Sequence, residues 1–115
     1  MSHPRHGLDE VIHSPVRFSI VATLAGAEKA EFGYVRDTVE ISDSVLSKQA
    51  ATLEQAGYVK VTKGHVGKRP RTWLSLTGAG RRAFAAHCAA LRMIAEDAGG
   101  LPAAGSRRSP GPRPG

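Results

Sequence analysis

Apolar residues recur along this chain with two different periods, and the switches between them mark out its elements. In LDEVIH, Leu8, Val11 and Ile12 share one helical face. Beyond Ser14 and Pro15, Val16, Ile20 and Leu24 follow at four-residue spacing with Val21 beside them, which predicts the helix PVRFSIVATLA. Ser14 suits its N-cap, and Pro15 suits the first helical position, where a missing N–H costs nothing. Gly26 ends that helix. A short connection over 27–30, with one extended segment, leads into FGYVRDTV, where Phe32, Val35 and Val39 return to helical spacing. Glu40-Ile41 turns the chain, and Ser42 caps a further helix over 42–56. Leu46, Ala50 and Leu53 form its inner stripe, while Ser44, Ser47, Lys48, Ala51 and Thr52 face outward. Gly57 stands where a helix C-terminus calls for positive φ.

The period then changes to two. Val59 and Val61 alternate with Lys60 and Thr62, and Leu74 and Leu76 alternate with Trp73 and Ser75, so both runs read as strands with one apolar face. The loop between them, GHVGKRPR, is expected to turn tightly at Gly64 and Gly67, with Pro70 blocking further ladder pairing. Thr77 caps a last helix whose apolar line is Phe84, Cys88, Leu91 and Ala95, with Ile94 alongside. These elements predict an α+β fold, mostly α, with a helix-turn-helix, a two-stranded β-wing and terminal helices. One domain occupies 8–99, between a flexible polar arm over 1–7 and a disordered basic Pro/Gly-rich tail over 100–115.

Composition narrows the picture. At 115 residues the chain supports one domain with a modest core, and with only 5% aromatics that core must be Val, Ile, Leu and Ala. The net charge is +6, but Arg107, Arg108 and Arg113 lie in the tail, leaving 13 bases against 10 acids, or +3, elsewhere. The clustering of charge therefore says more than its sum. A single cysteine, Cys88, excludes an intramolecular disulfide and suits a reducing compartment. No signal-peptide core or membrane-length apolar run is present, which points to a cytoplasmic protein without membrane partners. His3, His6 and His13 are loosely spaced, and His87 and Cys88 diverge on a helix, so no metal site is expected. No carboxylate is paired with a nucleophile and no glycine-rich phosphate loop follows a strand. Neither a catalytic residue nor a cofactor is expected, and the chain does not read as an enzyme.

From Lys60 to Arg71 the cations Lys60, Lys63, Lys68, Arg69 and Arg71, with His65 among them, stand without an acid. A helix with Ser and Lys outside, followed by a hairpin with a cationic tip, can set one element in a DNA groove and the other along phosphates. The runs LDEVIHSPVR, LSKQAATLEQAGYVKV and GKRPRTWLSLTGAGR, within residues 8–95, resemble the small winged-helix transcriptional regulators of the MarR/ArsR type. Ala50 departs from the Leu usual in that family, and Gly78 from a frequent Pro. The resemblance implies a homodimeric regulator on palindromic duplex DNA. Its recognition helix, 42–56, would enter the major groove through Ser44, Ser47, Lys48 and Gln49, with Thr52 near the backbone. Its wing, 63–71, would touch the minor groove or its phosphates through Lys63, His65, Lys68, Arg69 and Arg71.

Leu8, Val11, Ile12, Phe84, Cys88, Leu91 and Ile94 exceed what so small a domain can bury, and are expected to form the dimer interface. Cys88 reads there as a small hydrophobe, with an oxidative cross-link between protomers as the alternative. No small-molecule effector is identified; a pocket for one would form at that interface. Two other functions compete. A protein-docking winged helix gains nothing from uninterrupted positive charge, and an RNA-binding one calls for exposed stacking aromatics, for which Trp73 alone is available.

Overall fold

The computed structural model describes residues 3–99; the predicted basic tail over 100–115 lies outside the described residues. In chain order it contains α1 (Pro15–Ala25), β1 (Ala30–Glu31), α2 (Phe32–Val39), α3 (Asp43–Gln55), β2 (Val59–Val66), β3 (Arg69–Leu76) and α4 (Gly78–Gly99). The helix starts follow local capping chemistry. Ser14 Oγ accepts the Arg17 N–H at 3.3 Å, Ser42 Oγ the Val45 N–H at 3.2 Å, and Thr77 Oγ1 the Gly80 N–H at 2.9 Å. The break between α2 and α3 falls on Glu40, whose φ of 61° ends α2 in the left-handed region. Gly57, with φ of 82°, turns the chain out of α3 as expected.

The core lies where α1, α2 and α3 meet one face of the sheet. Ile20, Val21 and Leu24 of α1, Val35 of α2, and Leu46, Ala50 and Leu53 of α3 close over Ala30, Val59, Leu74 and Leu76. Val59 stands opposite Leu76 and Val61 opposite Leu74, so the period-two pattern places the apolar side chains of both strands on that face.

The sheet is three-stranded, in the order β1-β3-β2, because the extended segment at Ala30–Glu31 pairs with Leu74 and Trp73. The hairpin is also longer than its sequence suggests. Its ladder runs to Val66 opposite Arg69, leaving a two-residue turn at Gly67-Lys68. Gly67 has φ of 63° at the first central position, the conformation of a type II′ turn. Gly64 is therefore a strand residue: a Cβ there would meet the Trp73 ring at 3.1 Å. Pro70 does not end the pairing but sits opposite His65. It is accepted because β1 reaches only Trp73 and Leu74, so one edge of β3 is open at Pro70 and a missing N–H leaves no ladder partner unserved there.

The N-terminal segment departs furthest from expectation. Pro4–Gly7, predicted to be part of a flexible arm, is a 3-10 turn packed on α4. Residues 8–14 are not a helix: Asp9 Oδ1 accepts the Val11 and Ile12 N–H groups at 2.8 and 3.3 Å and bends the chain there. Asp9 Oδ2 accepts the Tyr58 hydroxyl at 2.5 Å, and the Asp9 N–H donates to His87 Nδ1 at 2.9 Å. Ile12 is consequently buried within the protomer and offers no surface to a partner, contrary to its predicted interface role. On α4 the innermost residues are Gly80, His87 and Ala90, so the buried face is centred one position before Cys88.

Candidate nucleic-acid interface

The two elements predicted to meet DNA emerge on one side of the core. Ser44, Ser47 and Lys48 of α3 are exposed, opposite its buried stripe of Leu46, Ala50 and Leu53. Ile41, preceding the Ser42 cap, and Leu46 both join the core, a hydrophobic staple that fixes the angle at which α3 begins. Gln49 and Thr52 are half-buried and already engaged: Gln49 Oε1 accepts from Arg17 Nη1 at 2.8 Å, and the Thr52 hydroxyl donates to the Lys48 carbonyl at 3.2 Å. The outward face is thus narrower than the polar pattern implied, because Gln49 braces α3 against α1.

On the wing, Lys63, His65, Lys68 and Arg69 are exposed, and none of them makes an ion pair among the described residues. Strand alternation divides the group, with Lys63 and His65 on one face, Arg69 and Arg71 on the other, and Lys68 at the turn. Arg71 differs from the rest. It is half-buried, and its Nη1 lies 3.4 Å from Glu31 Oε2 on β1. An acid 40 residues away thereby offsets one cation at the wing base, which the acid-free run in the sequence did not reveal. Trp73, the sole candidate for base stacking, is half-buried with Lys29 Nζ 5.1 Å from its ring centre, so it presents no free aromatic face like those of RNA-stacking platforms.

A cleft of about 590 Å³ separates α3 from the wing, lined by Ser47, Ala51 and Glu54 on one side and Lys63, Pro70 and Arg71 on the other. Ala50, small where a Leu is usual in the resembling family, forms part of its floor. Arg36 of α2 also lines the cleft, and sequence reasoning missed it. Its guanidinium binds Asp37 at 2.8 Å and Asp43 at 2.9 Å, tying α2 to the start of α3 across the turn. The hydrogen bond to Asp37, then that to Asp43, raise the pKa of Arg36 further, and Arg36 in turn lowers that of Asp37. The chemistry offered is an exposed helix face with short hydroxyls and one ammonium, beside a cationic hairpin.

A family model described as a winged helix DNA-binding domain matches residues 16–95. The chain belongs to that family. Its fold is that of the MarR-type regulators it resembles. This winged-helix chain is 33% identical over 75 residues to an uncharacterized protein of Methanocaldococcus jannaschii, covering 65% of this chain and 82% of that one. Among solved structures it is similar to a transcriptional regulator homologue from Pyrococcus horikoshii, with a TM-score of 0.77 at 23% identity, covering 85% of this chain and 98% of that one. A MarR family transcriptional regulator from Silicibacter pomeroyi gives a TM-score of 0.61 at 17% identity, covering 76% and 58%. No helix among the described residues is long and apolar enough to cross a membrane.

The predicted interface residues fall into three groups. Ile12 is wholly internal; Val11 and Phe84 pack on the core, Phe84 with its ring centre 5.6 Å from that of Phe18; Leu8, Cys88, Leu91 and Ile94 are half-buried. Met93, which the sequence reading omitted, is 54% exposed on α4. It lies between the expected helical positions, one residue before Ile94, so spacing alone did not single it out.

Proposed function

We propose that this protein is a transcriptional regulator that binds a palindromic duplex site as a homodimer, with α3 in the major groove and the wing on the minor groove or its phosphates. The observation that carries this reading is the pairing of two exposed features on one side of the core. One is a braced helix presenting Ser44, Ser47 and Lys48; the other is a hairpin presenting Lys63, His65, Lys68 and Arg69 without ion-pair partners. Phosphate neutralisation asks for unpaired cations, and base readout asks for a helix that protrudes.

In this reading Lys48 reaches a guanine acceptor edge, the serines approach bases or phosphates closely, and the wing supplies mainly electrostatic affinity. Arg71 and Gln49, held by Glu31 and Arg17, serve to fix the wing base and the helix rather than to read bases. Dimerisation is assigned to α4 and the N-terminal segment, where Met93 is exposed, Ile94 is half-buried, and Pro15, Phe18 and Leu91 line an apolar groove. Selecting bound sequences from a random duplex library tests the proposal. An inverted repeat should emerge, and recovery of no preferred duplex would contradict it.

A further inference from the structure

Among the described residues the large hydrophobics that stand exposed are Tyr34, Val45, Val66 and Met93. Val45 is 38% exposed on α3 itself, beside Ser44 and three residues before Lys48, and it lies outside the core cluster. Val45 is the third helical residue after the Ser42 cap, the position a capping box fills with Glu or Gln, whose side chain reaches back to the cap. Valine cannot make that bond, and its branched side chain is a poorer helix former than either. The staple is already made by Ile41 and Leu46, so Val45 does not supply that contact. The part of its surface left uncovered faces the same solvent as Ser44 and Lys48.

An apolar group on a helix that enters the major groove has one natural complement, the C5-methyl of thymine, which no other base displays there. We propose that Val45 is a specificity-determining residue that packs against a thymine methyl, beside the base edge that Lys48 reaches. The proposal rests on the reading of α3 as the recognition helix. It adds an apolar contact to a helix whose polar contacts alone had been legible, and it requires a thymine in the bound site.

The test uses the full chain and a duplex taken from the library selection, with each thymine replaced in turn by deoxyuridine, which removes only the methyl. One such replacement should weaken parent binding about fourfold, the value of burying one methyl-sized group. Val45→Ala, which removes the contact from both half-sites of the palindrome, should bind the intact duplex about sixteenfold more weakly and then be indifferent to the same replacement. Alanine is the better helix former at this exposed site, so the variant should fold, and a thermal melt checks that. Indifference of the parent to every thymine replacement would overturn the methyl contact, as would undiminished thymine preference in Val45→Ala. Either result leaves DNA binding intact, since the series is run on a duplex the parent already binds. Failure of the parent to prefer any duplex would overturn both readings together.

Discussion

Gly80 shows how a single residue can be fixed by a contact that no local rule encodes. It is the residue whose N–H the Thr77 cap receives, and a Cβ on it would run into the Tyr58 carbonyl. The start of α4 and the chain entering β2 therefore touch backbone to backbone. Gly80→Ala should lower stability by about 1–3 kcal/mol, as overpacking of a closed site does, and a urea midpoint measured against the parent checks this. An unchanged midpoint would mean that the two backbones separate freely. Lys48 is exposed, and in the proposed reading it is constrained by the DNA it meets rather than by the protein. Lys48→Ala should weaken binding to the selected duplex by about 1–3 kcal/mol per half-site and to random duplex by less, because a lost base contact matters only where the base is present. Comparative anisotropy titrations separate the two, and equal losses would reassign Lys48 to the phosphates.

Among the elements, those with a local cause were legible in advance. α1 and α2 carry an apolar stripe at helical spacing, α1 opens on a capping serine with proline behind it, and both helices occupy their predicted residues. The wing was legible as a hairpin but not in its length, because register across the strands decides where the turn falls. The Trp73 ring beside Gly64 and the open edge beside Pro70 are properties of the pair. The turn at 8–14 was masked by the helical spacing of Leu8, Val11 and Ile12: Asp9 makes the bend locally, but it is anchored by Tyr58 and His87 at separations of 49 and 78 residues. That junction also makes the fold sensitive to acid. Burial first, and then the His13 ring 5.5 Å away, push the His87 pKa down, partly offset by Asp9, while Asp9 hydrogen bonding chiefly raises that of Tyr58. A buried imidazole with a lowered pKa resists protonation when folded and accepts it when unfolded. The stabilising contribution is therefore full above the ordinary histidine value of about 6.5 and is lost as pH falls below it. Urea midpoints should drop between pH 7.5 and 5.5, and His87→Gln should show a smaller drop. Identical pH profiles would remove His87 from the account.

At the level of the whole molecule, the candidate site was legible where it depends on surface chemistry and obscured where distant residues intervene. The outward Ser and Lys of α3 and the cations at the wing tip stand exposed, whereas Arg17 and Glu31 engage Gln49 and Arg71 from elements far off in the chain. The apolar stripes exceed what the domain was expected to bury, yet Ile12 is wholly internal, and Met93, outside those stripes, is exposed. Light scattering at micromolar concentration should report a dimer, and Met93→Glu should shift it toward monomer; a parent that stays monomeric on concentration would remove the palindromic model. The central claim, that the wing and α3 hold duplex DNA together, is tested most directly by the salt dependence of binding. Each phosphate contact releases about one counterion, so replacing Lys68 and Arg69 together by Ala should flatten the slope of log affinity against log salt by up to about two units per protomer, or about four for the dimer. The loss should be similar on selected and random duplex. A slope equal to the parent's on every duplex would mean that the wing does not touch DNA, and would favour protein docking as its role.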